Sequence, residues 1–253
     1  LGDRLYQQEL ESGNADVLYG DAIDCLLQIQ QCPAVTDYQL PLYDREFIQR
    51  ELAIFPQWFI GELLNMELSK EQQRCFSAAS ELLVLSALEQ PRVCMHRDYH
   101  SRNLMLTDHR HPAVIDFQDA VIGPVSYDLV SLLRDCYIRW PEVRVQHWLQ
   151  QYLQKATAAG VINASDREPF LRWFDLMGMQ RHLKAVGIFA RLSVRDVKSG
   201  YLQDIPRTLA YIIDVCRRYP EFSALLELIE QHIIPQMRVS AYFDQQALDS
   251  LLL

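Results

Sequence analysis

The chain has 253 residues, 49% of them hydrophobic and 23% charged, enough to bury a substantial core as one large domain or two smaller ones. A formal net charge of -9 and a pI near 5.2 argue against a nucleic-acid partner held by phosphate neutralisation. The opening "LGDRLYQQELESGNAD" carries charges rather than an apolar block, and no later run approaches the ~18 apolar residues of a membrane span, so neither export nor a membrane is expected.

From Ala15 to Gln31, apolar residues at Val17, Leu18, Ala22, Leu26 and Ile29 recur near the period of an amphipathic helix, which Cys32-Pro33 ends. Asp44 is placed to cap a second helix through "REFIQRELAIFPQWFIGELL", with Pro56 kinking or dividing it. A third helix is expected from Lys70 to Glu89, with Phe76, Ala79, Leu83 and Ala87 on one face. The period then changes. "RVCM" (92–95), "LMLT" (104–107) and "AVIDF" (113–117) are short β-prone runs, the last two joined by "DHRH" and Pro112 as a hairpin. Beyond Gly123-Pro124 the helical pattern returns at about 127–137, 142–158, 166–195 and 206–219, followed by one or two shorter helices. Six cysteines (Cys25, Cys32, Cys75, Cys94, Cys136, Cys216) without a C-x-x-C pair suit free thiols in a reducing compartment, so a cytoplasmic protein is expected.

The β insert carries "CMHRDYHSRNLML" (94–106), a polar loop between apolar anchors. Asp98 and Asn103, five apart, can be turned toward one centre, and the hairpin can bring Asp116 back beside them. Two carboxylates and an amide oxygen are hard donors that suit Mg²⁺ better than a soft or tetrahedral metal. A magnesium site with a spare carboxylate is what phosphoryl transfer requires. On this reading Asp98 is the base, Asn103 and Asp116 hold the metal, and His96 and Arg97 brace the loop.

"HRDYHSRN" followed by "VIDFQDAVIGPVSYDLVSLLRD" resembles the catalytic and metal-binding segments of the aminoglycoside phosphotransferase and choline kinase family, relatives of the protein kinases. Protein kinases proper usually have Lys at the place of His100 and Gly at that of Gln118, so the small-molecule branch is the better match. "LYDREFIQRELAIFPQWFIGELL", "LLRDCYIRWP" and "QRHLKAVGIFARL" narrow the resemblance to bacterial cell-wall-recycling kinases that phosphorylate N-acetylmuramate and N-acetylglucosamine at the anomeric hydroxyl.

The resemblance implies a protein-kinase-like α+β fold. All of 1–253 would be a mostly helical C-terminal catalytic lobe with a small β-hairpin insert, and residues 1–6 the end of the interlobe hinge. ATP and Mg²⁺ are the implied cofactors, and an amino sugar is the implied acceptor. The family's N-terminal lobe has a Gly-containing phosphate loop and a nucleotide-binding Lys, neither of which precedes Leu1. On that basis the chain alone is expected to bind ATP poorly and turn over slowly or not at all. Other acceptors (an aminoglycoside, choline, homoserine) and a non-catalytic binding module are the alternatives. A metal hydrolase using His96, His100, His109 and His111 is the weakest of them.

Turn formation by Asx residues is the plainer account of Asp98, Asn103 and Asp116, but it leaves their joint spacing with two histidines unexplained. His96 and His100 imitate a zinc pair, yet strand-like flanks deny them a helical face, which favours bracing. Asp128 either meets the positive end of its helix or braces the loop. Asp119 is expected near the metal or at the surface. Arg134 and Asp135 either face the acceptor or do not. Arg181, Lys184 and Arg191, with His182, are either a cluster for a sugar carboxylate or a solvated helix face. Trp58 is a sugar platform or core, and Asn163 in "NAS" a helix entry rather than a glycosylation site.

Overall fold

The computed structural model describes residues 4–10, 13–32, 39–107, 112–249 and 251. The 108–111 turn with His109 and His111, and residues 1–3 of the expected hinge, lie outside the described residues. By backbone contacts the chain divides into two units, Leu1–Asp44 with Leu88–Met177 and Arg45–Ala87 with Gly178–Leu253.

The first unit contains α1 (Tyr6–Glu9), α2 (Ala15–Gln30), strands β1 (Arg92–Met95), β2 (Leu104–Met105), β3 (Ala113–Val114) and β4 (Val121–Pro124), then α5 (Tyr127–Leu133), α6 (Glu142–Ala158) and the start of α7 (Arg167–Val194). Helix α2 buries Leu18, Tyr19, Ala22, Ile23, Leu26 and Leu27 at helical spacing. The buried face is rotated from the expected one, and Val17 is 66% exposed. Every residue of α5 is buried, so that helix is a fixed strut.

Three strands were expected, with 104–107 and 113–117 as one hairpin. β1 falls where "RVCM" predicts, and β2 pairs antiparallel with β3, Leu104 opposite Val114. A fourth strand is the difference. β4 runs through "VIGP" and pairs antiparallel with β1, Met95 opposite Val121 and Val93 opposite Gly123. Its Gly and Pro mimic a turn in sequence. Here they suit a tight place: a Cβ on Gly123 would lie 2.9 Å from the Cβ of Tyr43 and 3.0 Å from the Met95 side chain. The two pairs nest, because β1 leads through residues 96–103 into β2, while β3 leads through 115–120 into β4. Both loops therefore run between the same two pairs, and the Ile115 amide donates directly to the Asn103 carbonyl at 3.1 Å. Residues of the expected hinge join this insert: Leu5 bridges Met105, and the Leu106 amide donates to the Arg4 carbonyl at 2.8 Å.

The second unit holds α3 (Arg45–Ile54), a π-helical stretch (Phe55–Leu63), most of α4 (Lys70–Leu88), the rest of α7, α8 (Ile205–Arg218), α9 (Ser223–Leu228), α10 (Ile234–Val239) and α11 (Gln245–Asp249). Pro56 has no N–H and its ring crowds the carbonyl four residues back, so the expected division at this proline takes the form of a wider π-turn. A capping box starts α4: the Gln72 amide donates to Ser69 Oγ at 3.2 Å and the Ser69 amide to Gln72 Oε1 at 2.9 Å. Phe76, Ala79, Leu83 and Ala87 are all buried along it. Helix α7 approaches α3 through Gly187, where a Cβ would lie 2.7 Å from the Ile54 carbonyl.

Candidate active site

Two peptide amides open the loop, and one buried carboxylate receives both. The amides of His96 and Arg97 donate to Asp128 Oδ2 at 2.6 Å and Oδ1 at 2.9 Å, with Asp128 1% exposed at the start of α5. Asp128 also stands in the first turn of α5, so its contacts with the loop and its place at the helix start occur together. The bond pattern holds Arg97 at φ 78°, a left-handed conformation uncommon for an arginine, and its Nη1 donates to the Asp119 carbonyl at 3.3 Å. Asp119 itself is exposed.

His96 is 3% exposed and sits edge-on to Tyr99, ring centroids 5.9 Å apart. Its Nδ1 accepts the Asp98 amide at 3.3 Å, which assigns the proton to Nε2. Burial pushes the imidazole below its ordinary pKa, against the smaller upward pull of Asp98, the Ile115 backbone and Asp116; His100 adds to the lowering. The folded loop thus refuses a proton that the unfolded chain accepts near pH 6.5. Stability carried by neutral His96 is complete above that pH and is lost as pH falls below it. Between pH 7.5 and 5.5, His96→Asn is expected to lose melting temperature less steeply than the parent, by up to one proton in the slope, as checked by calorimetry; parallel slopes would contradict it.

Beyond His96 the chain turns on itself. The His100 amide donates to the Asp98 carbonyl at 3.1 Å and the Asn103 amide to the His100 carbonyl at 2.9 Å. Asn103 Nδ2 donates to the Asp98 carbonyl at 3.0 Å, so the amide nitrogen is engaged on the loop and Oδ1 is left as its acceptor end. Across the nested loop, Asp116 is exposed at φ 67°, and Gln118 Nε2 donates to its Oδ1 at 2.7 Å. Two non-glycine residues at positive φ, Arg97 and Asp116, thus lie on the two facing loops, where backbone strain commonly accompanies function.

Among the described residues no group of three or more His, Cys, Asp and Glu could hold a metal ion. A hard cation here would rest on Asn103 Oδ1 and the Asp116 carboxylate, completed by ligands from substrate or water, which suits Mg²⁺ with its preference for few protein oxygens. His96 and His100 do not build a zinc site: His96 Nδ1 is engaged with Asp98, and His100 packs edge-on to Tyr137 at 5.6 Å.

The remaining candidates are placed as follows. Arg134, 3% exposed, pairs with Asp175 at 2.7 Å and Glu142 at 3.2 Å, and Asp135, 2% exposed, accepts from Ser101 and Tyr137. In the second unit, Lys184 pairs with buried Glu51 at 2.7 Å, and Gln180 donates to the same carboxylate. His182 stacks on Tyr211 at 4.6 Å, while Arg181, Arg191 and Trp58 are half-buried. Asn163 opens the turn before α7, its amide donating to Asp166 at 2.8 Å. Sequence reasoning overlooked Ser101, Gln118 and Arg102. The last covers the Tyr137 ring at 3.4 Å and donates to Gln7 at 2.9 Å. Only the i, i+2 spacing of Asp116 and Gln118 offered a sequence signal for any of these.

A phosphotransferase of the kinase-like fold is the class these loops define. The model of the "Phosphotransferase enzyme family" matches residues 2–166, and the chain belongs to that family. It is 47% identical to the N-acetylmuramate/N-acetylglucosamine kinase of Pseudomonas putida over 91% of this chain and 67% of that protein. It is 45% identical to the Neisseria meningitidis protein of the same name over 89% of this chain and 66% of that one. The chain thus spans about two thirds of the length of these relatives. Among solved structures, Plasmodium vivax ethanolamine kinase matches with a TM-score of 0.57 at 13% identity, over 88% of this chain and 64% of that one. An ADP-bound aminoglycoside phosphotransferase matches at 0.52 and 16%, over 85% of this chain and 70% of that one. These two carry the likeness of fold.

Proposed function

We propose that the protein is an ATP- and Mg²⁺-dependent kinase of N-acetylmuramate and N-acetylglucosamine, phosphorylating the anomeric hydroxyl in the recycling of peptidoglycan. The observation that carries this reading is the nested pair of loops that brings Asp98, Asn103 and Asp116 onto adjoining segments of one insert, in a chain 47% identical to a kinase of that name. Asp98 orients the sugar hydroxyl and takes its proton as the oxygen bonds to the γ-phosphorus of ATP and the bond from that phosphorus to the β,γ-bridging oxygen breaks, releasing ADP. Asn103 and Asp116 would hold Mg²⁺, which when bound would supply neutralisation of the charge on the phosphate oxygens. His96, Arg97, His100 and Asp128 keep Asp98 aimed. On this reading residues 1–6 are the end of a connector between lobes and the rest is the catalytic lobe.

Six free thiols are in keeping with a cytoplasmic site of action, and no helix among the described residues is long and apolar enough to cross a membrane.

A panel of acceptors assayed with ATP and Mg²⁺ tests the substrate class. Both amino sugars are expected to be turned over at least about tenfold better in kcat/KM than choline, ethanolamine, homoserine or an aminoglycoside, a margin of ~1.4 kcal/mol. Preference for any of the latter would reject the amino-sugar reading.

A further inference from the structure

One buried carboxylate beside the loop has no part in the chemistry above. Asp135 follows the end of α5 and is 2% exposed. Its Oδ2 accepts both the Ser101 amide at 3.0 Å and the Ser101 hydroxyl at 2.6 Å, while Oδ1 accepts the Tyr137 amide at 3.0 Å. We infer that Asp135 is a positioning residue for phosphoryl transfer, the second jaw of a clamp by which α5 grips the catalytic loop on both sides of Asp98. The kinetic part of this inference rests on the phosphotransferase reading; its structural part does not.

The loop is anchored on both sides of Asp98. Asp128 fixes its first two residues, and beyond Asp98 the Tyr99 hydroxyl donates to the Ala22 carbonyl at 2.8 Å, the Gln7 amide to the Ser101 carbonyl at 3.1 Å and the Ile115 amide to the Asn103 carbonyl at 3.1 Å. Asp135 adds a buried carboxylate to this second side, at Ser101. Ser101 lies three residues after Asp98 and two before Asn103, is 2% exposed, and gives both its donors to one carboxylate oxygen. The Tyr137 amide on the other oxygen stops the carboxylate from rotating away, and the Tyr137 ring packs against His100 at 5.6 Å and Arg102 at 3.4 Å. Helix α5 is buried along its whole length, and Arg134 and Asp135 just beyond its end are buried too, so both jaws are set in packed chain.

The contacts also explain why Asp135 is not placed to meet an acceptor. Both oxygens are engaged by donors of the chain itself, and the residue is closed off from solvent. An amide in its place presents an NH₂ where one of those donors points, leaving a buried donor opposed. A displacement of about 1 Å near the reacting atoms can cost on the order of 10²-fold in rate.

In the full-length protein, rather than these 253 residues alone, Asp135→Asn is expected to lower kcat by about tenfold or more, with KM for ATP and sugar within about threefold, and to speed hydrogen exchange in a peptide covering residues 99–107. Ser101→Ala, which keeps the amide bond and loses the hydroxyl, is expected to do the same to a smaller degree. The double variant should be less impaired than the product of the two losses, because both remove one interaction. Unchanged kcat in a destabilised Asp135→Asn protein would make the residue merely structural and overturn the proposal. A raised sugar KM at unchanged kcat would instead make it a substrate contact, which also overturns it. If Asp135→Asn does not fold, Ser101→Ala decides, and kcat and exchange both at parental values reject the clamp. Faster exchange in variants of a protein that transfers no phosphate would support the clamp and reject the phosphotransferase reading instead.

Discussion

Asp98→Asn is expected to leave the fold and both substrate affinities nearly unaltered while lowering kcat by about 10²–10⁴, the usual contribution of a positioned general base. The hydrogen bonds described for Asp98 run through its backbone: its amide to His96 Nδ1, and its carbonyl to the His100 amide and Asn103 Nδ2. The carboxylate is therefore free of structural duty among those bonds, and the loop that holds it is fixed by Asp128 from behind. An asparagine keeps the shape and can still touch the sugar hydroxyl, but it cannot take the proton. A melting temperature close to the parent together with a collapsed kcat is the expected pair of measurements. Turnover within a few-fold of the parent would remove Asp98 from the role of base.

Asp116→Asn should show its effect through the metal. Asparagine tolerates the positive φ of 67° at this position, and its side-chain oxygen can still accept from Gln118 Nε2, so folding is expected to persist. What disappears is one negative charge among the few protein oxygens offered to Mg²⁺. Outer-shell substitutions at metal sites cost ~10–100-fold, and loss of a direct carboxylate ligand should exceed that in kcat. The Mg²⁺ concentration for half-maximal rate should rise at the same time. The check is rate against Mg²⁺ concentration at fixed ATP, compared with Asn103→Ala. A Mg²⁺ profile superimposable on the parent's would contradict metal binding at Asp116.

The proposed donors were legible because Asp98, Asn103 and Asp116 are chemically specific and closely spaced. Their placement on adjoining loops was less so. It depends on β4, whose "VIGP" reads as a turn and whose partner β1 lies outside any local window; the pairing of Met95 with Val121, with that of β2 and β3, shows that the two loops share one gap. Helix bounds followed the hydrophobic period closely at α6, which begins and ends at the expected residues, and at α4, which stops one short of the expected Glu89, but α5 ends at Leu133, four residues before the expected Tyr137. At Pro56 the sequence announced a break without revealing its π-helical form, because a missing N–H permits more than one repair. Val17 continued the apolar period of α2 yet faces solvent, since periodicity marks a stripe and not its edges. Least legible were the buried polar contacts. Nothing in "LLRD" tells that Arg134 meets Asp175 or that Asp135 takes both donors of Ser101, because those partners are set by tertiary packing.

The most direct test of the account is the position of the phosphate in the product. After incubation of the full-length protein, rather than these 253 residues alone, with ATP, Mg²⁺ and N-acetylmuramate, the anomeric proton of the product is expected to show coupling to phosphorus in the NMR spectrum, and no such product should form with Asp98→Asn in the same time. Phosphorus coupled to any other sugar position, or phosphate released to water with the sugar untouched, would contradict it.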